Sequence, residues 1–238
     1  MIPKKIHYCW FGHGPMPTLV TKCIESWKKY LPDYEIKEWN EDKFDLDSYP
    51  YVREAYDNHK LAFVADVVRL YALYHEGGIY MDTDVEVLKP LDDLLKFDAV
   101  SGFEAPTQLQ TAFMACRQQY PLFKEFLDED DGIHCIQDGK MDLTVNGTRM
   151  TEKCLRYGLK LNGKLHTVAG FTLLPTEYLC PKSYETGEIN ITDKTLVIHH
   201  FAGSWQAKSI RYKKRISWLI GPKATRIVQK FTRLFKNN

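Results

Sequence analysis

Asp82-Thr83-Asp84 sets two carboxylates one residue apart, directly after the β-prone run Ile79-Tyr80-Met81. At a strand end such a pair can converge on a hard divalent cation, because Mn²⁺ and Mg²⁺ take oxygen ligands and keep positions open for phosphates. A cation held there offsets the negative charge that builds on a departing diphosphate, without needing a proton. Short acidic pairs also arise by chance and mostly face solvent, so the elements that position this one decide its meaning.

Leu61 to His75 carries an apolar pattern dense enough to predict a largely buried helix, stopped by Gly77-Gly78. Asp66 and Arg69 are its only charged residues and, three apart, share a face. Burying an ion pair is usually less favourable than burying apolar groups, so this pair reads either as a ligand site or as a structural bridge. Around this helix the pattern predicts a first strand over 5–12 that carries Trp10 near its carboxyl end. A helix over 18–31 and a second strand over 34–39 complete a β-α-β start. Further strands are expected over 79–81, 85–88, 99–103, 111–116, 167–174 and 195–200, with helices over 121–127 and 150–157. That alternation predicts an α/β fold with a mostly parallel central sheet, which binds ligands beyond the carboxyl ends of its strands.

The chain has 238 residues, of which 44% are hydrophobic and 26% charged, enough for a full core and too apolar for disorder. Six scattered cysteines form no CxxC pair and read as reduced thiols. The sequons at Asn146 and Asn190 are taken as chance. With no apolar leader before Tyr8 and no run of roughly 20 apolar residues, a cytoplasmic bacterial protein is expected.

The motifs are long enough to carry a resemblance. Ile2-Pro3-Lys4-Lys5-Ile6-His7-Tyr8-Cys9-Trp10-Phe11-Gly12, Ala65-Asp66-Val67-Val68-Arg69-Leu70-Tyr71, Gly77 to Asp84, Asn146-Gly147-Thr148 before Thr151, and His199-His200-Phe201-Ala202-Gly203-Ser204-Trp205 together resemble the DxD sugar-binding, or family 32, glycosyltransferases. These include bacterial capsular and surface polysaccharide transferases and fungal alpha-mannosyltransferases. The resemblance implies a GT-A (Rossmann-like) nucleotide-diphospho-sugar transferase domain over 1–207. It also implies a retaining transfer of a hexose from a nucleotide-sugar donor, UDP-linked by analogy, to a saccharide or lipid-linked saccharide acceptor. Carried over by motif, Trp10 lies against the nucleotide base, Asp66 and Arg69 hold the donor sugar and its neighbouring groups, and Tyr80 packs beside the donor. Asp82 meets ribose and the metal shell, Asp84 ligates Mn²⁺ or Mg²⁺ directly, His200 is the second metal ligand and Trp205 closes over the diphosphate. No second carboxylate is poised for double displacement. The resemblance therefore implies front-face substitution, with the departing phosphate oxygen taking the acceptor proton. Gln108 to Thr111 and Asn146 to Arg149 are expected to choose donor and acceptor.

Plainer readings stand beside these. Trp10 fits a core aromatic, and His199 and His200 fit satisfied histidines. Glu86, Asp92, Asp93 and the acidic run 128–131 read as solvated surface. Ile79 to Val85 also resembles the nucleophile strand of haloacid-dehalogenase-like phosphatases, with Asp82 attacking phosphorus and Asp84 as acid/base, although that strand normally opens its domain. A non-catalytic sugar-binding protein is the third reading.

Net charge is only +1, but residues 208–238 hold ten Lys/Arg and no acid, leaving 22 bases against 31 acids before them. A basic segment on an acidic body predicts an anionic surface as partner. Ile210, Ile216, Trp218, Leu219, Ile220, Ile227, Val228, Phe231, Leu234 and Phe235, interleaved with those bases, predict an amphipathic tail that lies on the inner face of the plasma membrane rather than on nucleic acid. The alternative is a basic helix packed on the acidic body.

Overall fold

The computed structural model describes residues 1–129, 133–137, 140–142, 144, 146–203, 206, 209–219 and 221. In chain order the elements are β1 (Lys5–Cys9), α1 (Thr18–Tyr30), β2 (Glu35–Trp39), α2 (Pro50–Asp57), α3 (Leu61–Glu76), β3 (Gly78–Met81), β4 (Val85–Val87), β5 (Ala99–Ala105), β6 (Gln108–Leu109), β7 (Phe113–Cys116), α4 (Pro121–Asp128), β8 (Ile136–Gln137), β9 (Lys140–Met141), α5 (Asn146–Arg156), β10 (His166–Val168), β11 (Phe171–Leu174), α6 (Thr176–Leu179) and β12 (Val197–His199). Residues 209–219 form a further helix.

The central sheet runs β10-β11-β5-β7-β3-β1-β2, with β6 paired to β5. β2, β1 and β3 are parallel neighbours; β7 enters antiparallel between β3 and β5; β11 then joins β5 in parallel and β10 closes the edge antiparallel. Five of these seven strands therefore point the same way, so the expected α/β fold with a mostly parallel sheet is the one observed. β4 leaves the sheet to pair antiparallel with β12, His199 opposite Val85.

Helix α3 is the structural axis. Val64, Val67, Val68, Leu70 and Leu73 are completely buried, and each such side chain contributes about 1.5–3 kcal/mol relative to an exposed one. It ends where expected, because Gly77 takes φ 66° and Gly78 φ 108°. Glycine is required at both: a Cβ on Gly77 would lie 2.5 Å from Gln118 N, and one on Gly78 would lie 2.6 Å from Lys5 O. That sharp exit drops the chain into β3 beside β1, which fixes which way the following residues face.

Strand alternation separates the two sides of the sheet. Ile79 and Met81 pack with Ile6, Tyr8 and Trp27 on the α1 side, while Tyr80 packs with Val64, Val67 and Val68 on the α3 side. Asp82, two residues beyond Tyr80, falls on the side of α3.

Helix α2 was not expected from the sequence; it starts at Pro50 and buries Tyr51, Val52 and Ala55. The expected strand over 167–174 is instead a hairpin, turned by Ala169 and Gly170, both at positive φ. All six cysteines are free and buried. Among the described residues no helix is long and apolar enough to cross a membrane.

Candidate active site

Asp82 and Asp84 stand at the carboxyl end of β3 in a tight turn, closed by Val85 N–H donating to Asp82 O at 2.9 Å. Trp27 of α1 donates its indole N–H to Val85 O at 2.7 Å, so the buried α1 face braces the turn. The two carboxylates then part to different partners.

Asp82 meets α3. Arg69 Nη2 lies 3.3 Å from Asp82 Oδ1 and 3.0 Å from Asp66 Oδ1. Its Nη1 donates to Thr111 O at 3.0 Å, its Nε to Ala65 O at 3.2 Å, and its plane lies 4.8 Å from the Tyr80 ring centroid. Tyr80 donates its hydroxyl to Asp82 Oδ1 at 3.0 Å. The expected Asp66–Arg69 pair is thus one arm of a bridge from α3 to the Asp82–Asp84 turn. Burial pushes the Asp66 carboxyl up to about 6 against the opposing Arg69 charge. Burial works against the Arg69 cation, yet Asp82, Tyr80 and Asp66 outweigh it and hold the guanidinium charged. Burial likewise keeps the Tyr80 phenol protonated.

Asp84 meets the β12 end. It is buried, with His199 Nε2 3.4 Å from Oδ1 and the Ala202 backbone N–H donating to Oδ2 at 2.7 Å. Burial favours the neutral acid, but the His199 charge and these hydrogen bonds prevail and hold the Asp84 carboxyl down at about 2. His199 shows the reverse: burial works against its proton, and Asp84 more than restores it.

His200, the imidazole expected to complete the metal set, is turned elsewhere. Its Nε2 lies 2.8 Å from Oε2 of Glu86, whose side chain keeps much of the solvent exposure expected for it. The imidazole beside the carboxylates is His199, because antiparallel pairing of β12 with β4 faces alternate residues oppositely. Ligand atoms of Asp82, Asp84 and His199 all lie within 4.8 Å of one another. Two carboxylate oxygens and one imidazole nitrogen suit Mn²⁺ or Mg²⁺, whose ligands at about 2.1–2.2 Å sit roughly 3–4.4 Å apart. Modest side-chain adjustment and loss of the His199 proton would complete such a site.

Trp10 follows β1 directly, beside β3 in the sheet; it is half-buried against the α1-side core and donates its indole N–H to Gly14 O at 2.8 Å. Asn146 donates its amide to Asp66 O at 3.0 Å. A Cβ on Gly147 would lie 3.1 Å from Leu109 O and 3.2 Å from Gln108 Nε2. The structure therefore brings segments 108–111 and 146–149 together beside Asp66 and Arg69. Trp205 lies outside the described residues, as do Asp130 and Asp131. Besides His199, sequence reasoning missed Glu104 on β5, whose carboxyl burial pushes up against the His199 charge.

Residues 17–101, which hold both arms of the Arg69 bridge and the Asp82–Asp84 turn, match the family described as glycosyltransferase sugar-binding region containing DXD motif. Over these residues the chain is similar to that family. Among curated relatives, inositol phosphoceramide mannosyltransferase 3 of Schizosaccharomyces pombe is 32% identical over 50% of this chain and 35% of its own length. A mannosyl phosphorylinositol ceramide synthase of Saccharomyces cerevisiae is 28% identical over 48% and 35%. The chain thus spans about a third of the length of these relatives. Among solved structures, the glycosyltransferase GlyE of Streptococcus pneumoniae is similar at a TM-score of 0.49 and 10% identity, over 98% of this chain and 64% of that one. A glycosyltransferase involved in glycosylation of the major capsid of PBCV-1 gives a TM-score of 0.48 at 13% identity, over 87% and 97%.

Proposed function

We propose that this chain is a glycosyltransferase that moves a hexose, with retention, from a nucleotide-diphosphate sugar to a saccharide or lipid-linked saccharide. The observation that carries the reading is the convergence of the Arg69 bridge and the Asp84–His199 pair on one two-residue turn. Asp82, Asp84 and His199 would hold Mn²⁺ or Mg²⁺, which when bound offsets charge on the leaving diphosphate. Arg69 and Asp66 offer a fixed donor fork and acceptor oxygens for sugar hydroxyls, and Trp10 an aromatic face for the base. The bond from the anomeric carbon to the phosphate oxygen breaks while the bond to the acceptor oxygen forms on the same face. The acceptor proton passes to the departing phosphate. Positioning by Arg69 and Asp66 would supply much of the rate.

A lipid-linked acceptor at the cytoplasmic face of a membrane is part of this proposal. It is supported by the mannosyltransferase names of the relatives, which refer to ceramide acceptors, and by the outward side of helix 209–219. There Tyr212, Ile216 and Leu219 are exposed next to Lys213. The test is release of nucleotide from a panel of UDP- and GDP-sugars with Mn²⁺, comparing the intact protein with Asp84→Asn. Release from one donor that is lost in the variant is the expected result. No release, with phosphate freed from simple phosphoesters, would replace this reading with the phosphatase.

A further inference from the structure

Trp218 draws helix 209–219 onto the body. Its indole N–H donates to Tyr184 O at 3.3 Å. A Cβ on Gly187 would come within 2.4 Å of the ring, so glycine at that position, with φ 72°, is what admits it. Once seated, the helix brings Arg211, Lys214 and Arg215 to face Lys182 across a cavity of about 150 Å³. Among the described residues no carboxylate lines this cavity.

Its cations are only partly satisfied. Lys182 Nζ donates to His200 O at 2.8 Å and lies 4.2 Å from the Trp218 ring centroid. Lys214 Nζ is buried 3.2 Å from the Tyr184 ring centroid and has no hydrogen-bond partner among the described residues, nor has Arg211 Nε. Burial, with the Lys182 charge, takes the Lys214 ammonium down to about 8 despite the opposing pull of Glu104 and Asp84. Gathering partly buried cations around a cavity that no carboxylate lines is unfavourable, and an anion in the cavity reverses that. Arginine forks and ammonium groups are the donor set suited to phosphate oxygens. The cavity also shares a wall with the metal-type cluster, since Ala202 lines it and donates its backbone N–H to Asp84.

We propose that this cavity is a phosphate subsite, completed by helix 209–219, for the diphosphate of the nucleotide donor, with Lys214 and Arg211 as its principal donors. The inference rests on the donor reading above. It adds the residues that hold the leaving group and gives the inward side of the basic tail a role separate from any surface its outward side meets. A phosphorylated acceptor offers the same chemistry, and the test separates the two.

Binding of UDP, GDP, uridine, guanosine, pyrophosphate and glycerol 3-phosphate is measured calorimetrically on the full chain and on Lys214→Gln, Arg211→Gln and Lys213→Gln. Lys213→Gln removes the same charge from the exposed side of the helix. Affinity for the favoured nucleoside diphosphate and for pyrophosphate is expected to fall about tenfold in the first two variants, with nucleosides and Lys213→Gln unchanged. Equal losses in Lys213→Gln would show a general field and overturn the subsite. So would diphosphate affinities that hold while only glycerol 3-phosphate weakens, or that hold in every variant. Pyrophosphate binding that depends on Lys214, in a protein without donor turnover, would keep the subsite and reject the transferase reading. Turnover lost in Asp84→Asn, with diphosphate binding indifferent to Lys214 and Arg211, would do the opposite.

Discussion

Arg69 Nη2 lies 3.3 Å from Asp82 Oδ1, which ties the middle of the most buried helix to the first acid of the Asp82–Asp84 turn. The same nitrogen holds Asp66, so one guanidinium neutralises two carboxylates that α3 and β3 bring to the α3 side of the sheet. The arrangement follows from spacing: Asp66 and Arg69 share a helix face, and Asp82 shares the strand face of Tyr80.

Replacing Arg69 by Met leaves Asp66 and Asp82 facing each other uncompensated. Removing one partner of a buried pair costs about 3–5 kcal/mol, and because Asp66 and Asp82 keep some solvent contact the lower end, about 3 kcal/mol, is expected. Arg69→Lys should retain more of the fold yet lose donor turnover by about a hundredfold, since an ammonium cannot reproduce the planar fork. Urea denaturation and nucleotide-release rates check both. A Met variant within about 0.5 kcal/mol of the parent would mean that the bridge is incidental.

His199 and His200 make opposite predictions for metal binding. His199→Ala removes a nitrogen from the cluster with Asp82 and Asp84, and Mn²⁺ affinity is expected to drop a hundredfold or more, at or beyond the ~10–100-fold typical of an outer-shell loss. His200→Ala frees Glu86 and is expected to cost less than about tenfold. Titration of Mn²⁺ followed by electron paramagnetic resonance gives both constants. A larger loss from His200→Ala would return the ligand role to the residue first expected from the sequence.

What the sequence made legible was local. The α3 face with Asp66 and Arg69, the stop at Gly77-Gly78 and the acids at the end of β3 all follow from periodicity and glycine chemistry within one or two elements. The choice between His199 and His200 did not, because a one-residue shift in register turns each side chain to the other face, and the partner strand β4 is more than 100 residues away. The antiparallel entry of β7 was hidden for a related reason. Phe113, Met114, Ala115 and Cys116 are all completely buried, so no alternation marks their direction. The basic tail showed its charge but not what its inner side touches; Gly187, the glycine that seats Trp218, carries no signal until the two segments meet.

His7 links β1 to the turn after α3 and gives the fold an acid-sensitive point. It is fully buried, with Nε2 2.8 Å from Gly77 O, while Nδ1 accepts from Trp39 Nε1 at 3.1 Å. That pairing fits only the neutral ring with its proton on Nε2. Burial lowers its pKa to about 4, outweighing the hydrogen bond to Gly77 O. Its unfolded value is near 6.5, so the unfolded state binds the extra proton first. The contribution of His7 is therefore complete above about pH 6.5 and is lost as pH falls towards 4, a change of order 3 kcal/mol. The difference in unfolding free energy between the parent and His7→Gln should shrink across that window. A difference that stays constant from neutral pH to pH 4 would mean that folding does not lower the affinity of the ring for its proton.

The outward side of helix 209–219 makes the last prediction. Tyr212, Ile216 and Leu219 fall at i, i+4 and i+7 and are 68%, 41% and 86% exposed, while Lys214 and Trp218 face the body. An apolar stripe flanked by Lys213 suits the headgroup region of an anionic bilayer, where each basic residue contributes about 1 kcal/mol near the surface. Replacing the three apolar residues by Ser should reduce flotation with phosphatidylserine-containing vesicles by tenfold or more, on the basis of about 0.8 kcal/mol for each buried methylene equivalent. Nucleoside diphosphate affinity should stay constant, because the inward side is untouched. Flotation that survives this change but is lost on deleting 208–238 would move the membrane contact to the residues after the helix. Flotation that survives both would leave the outward stripe without a bilayer to meet.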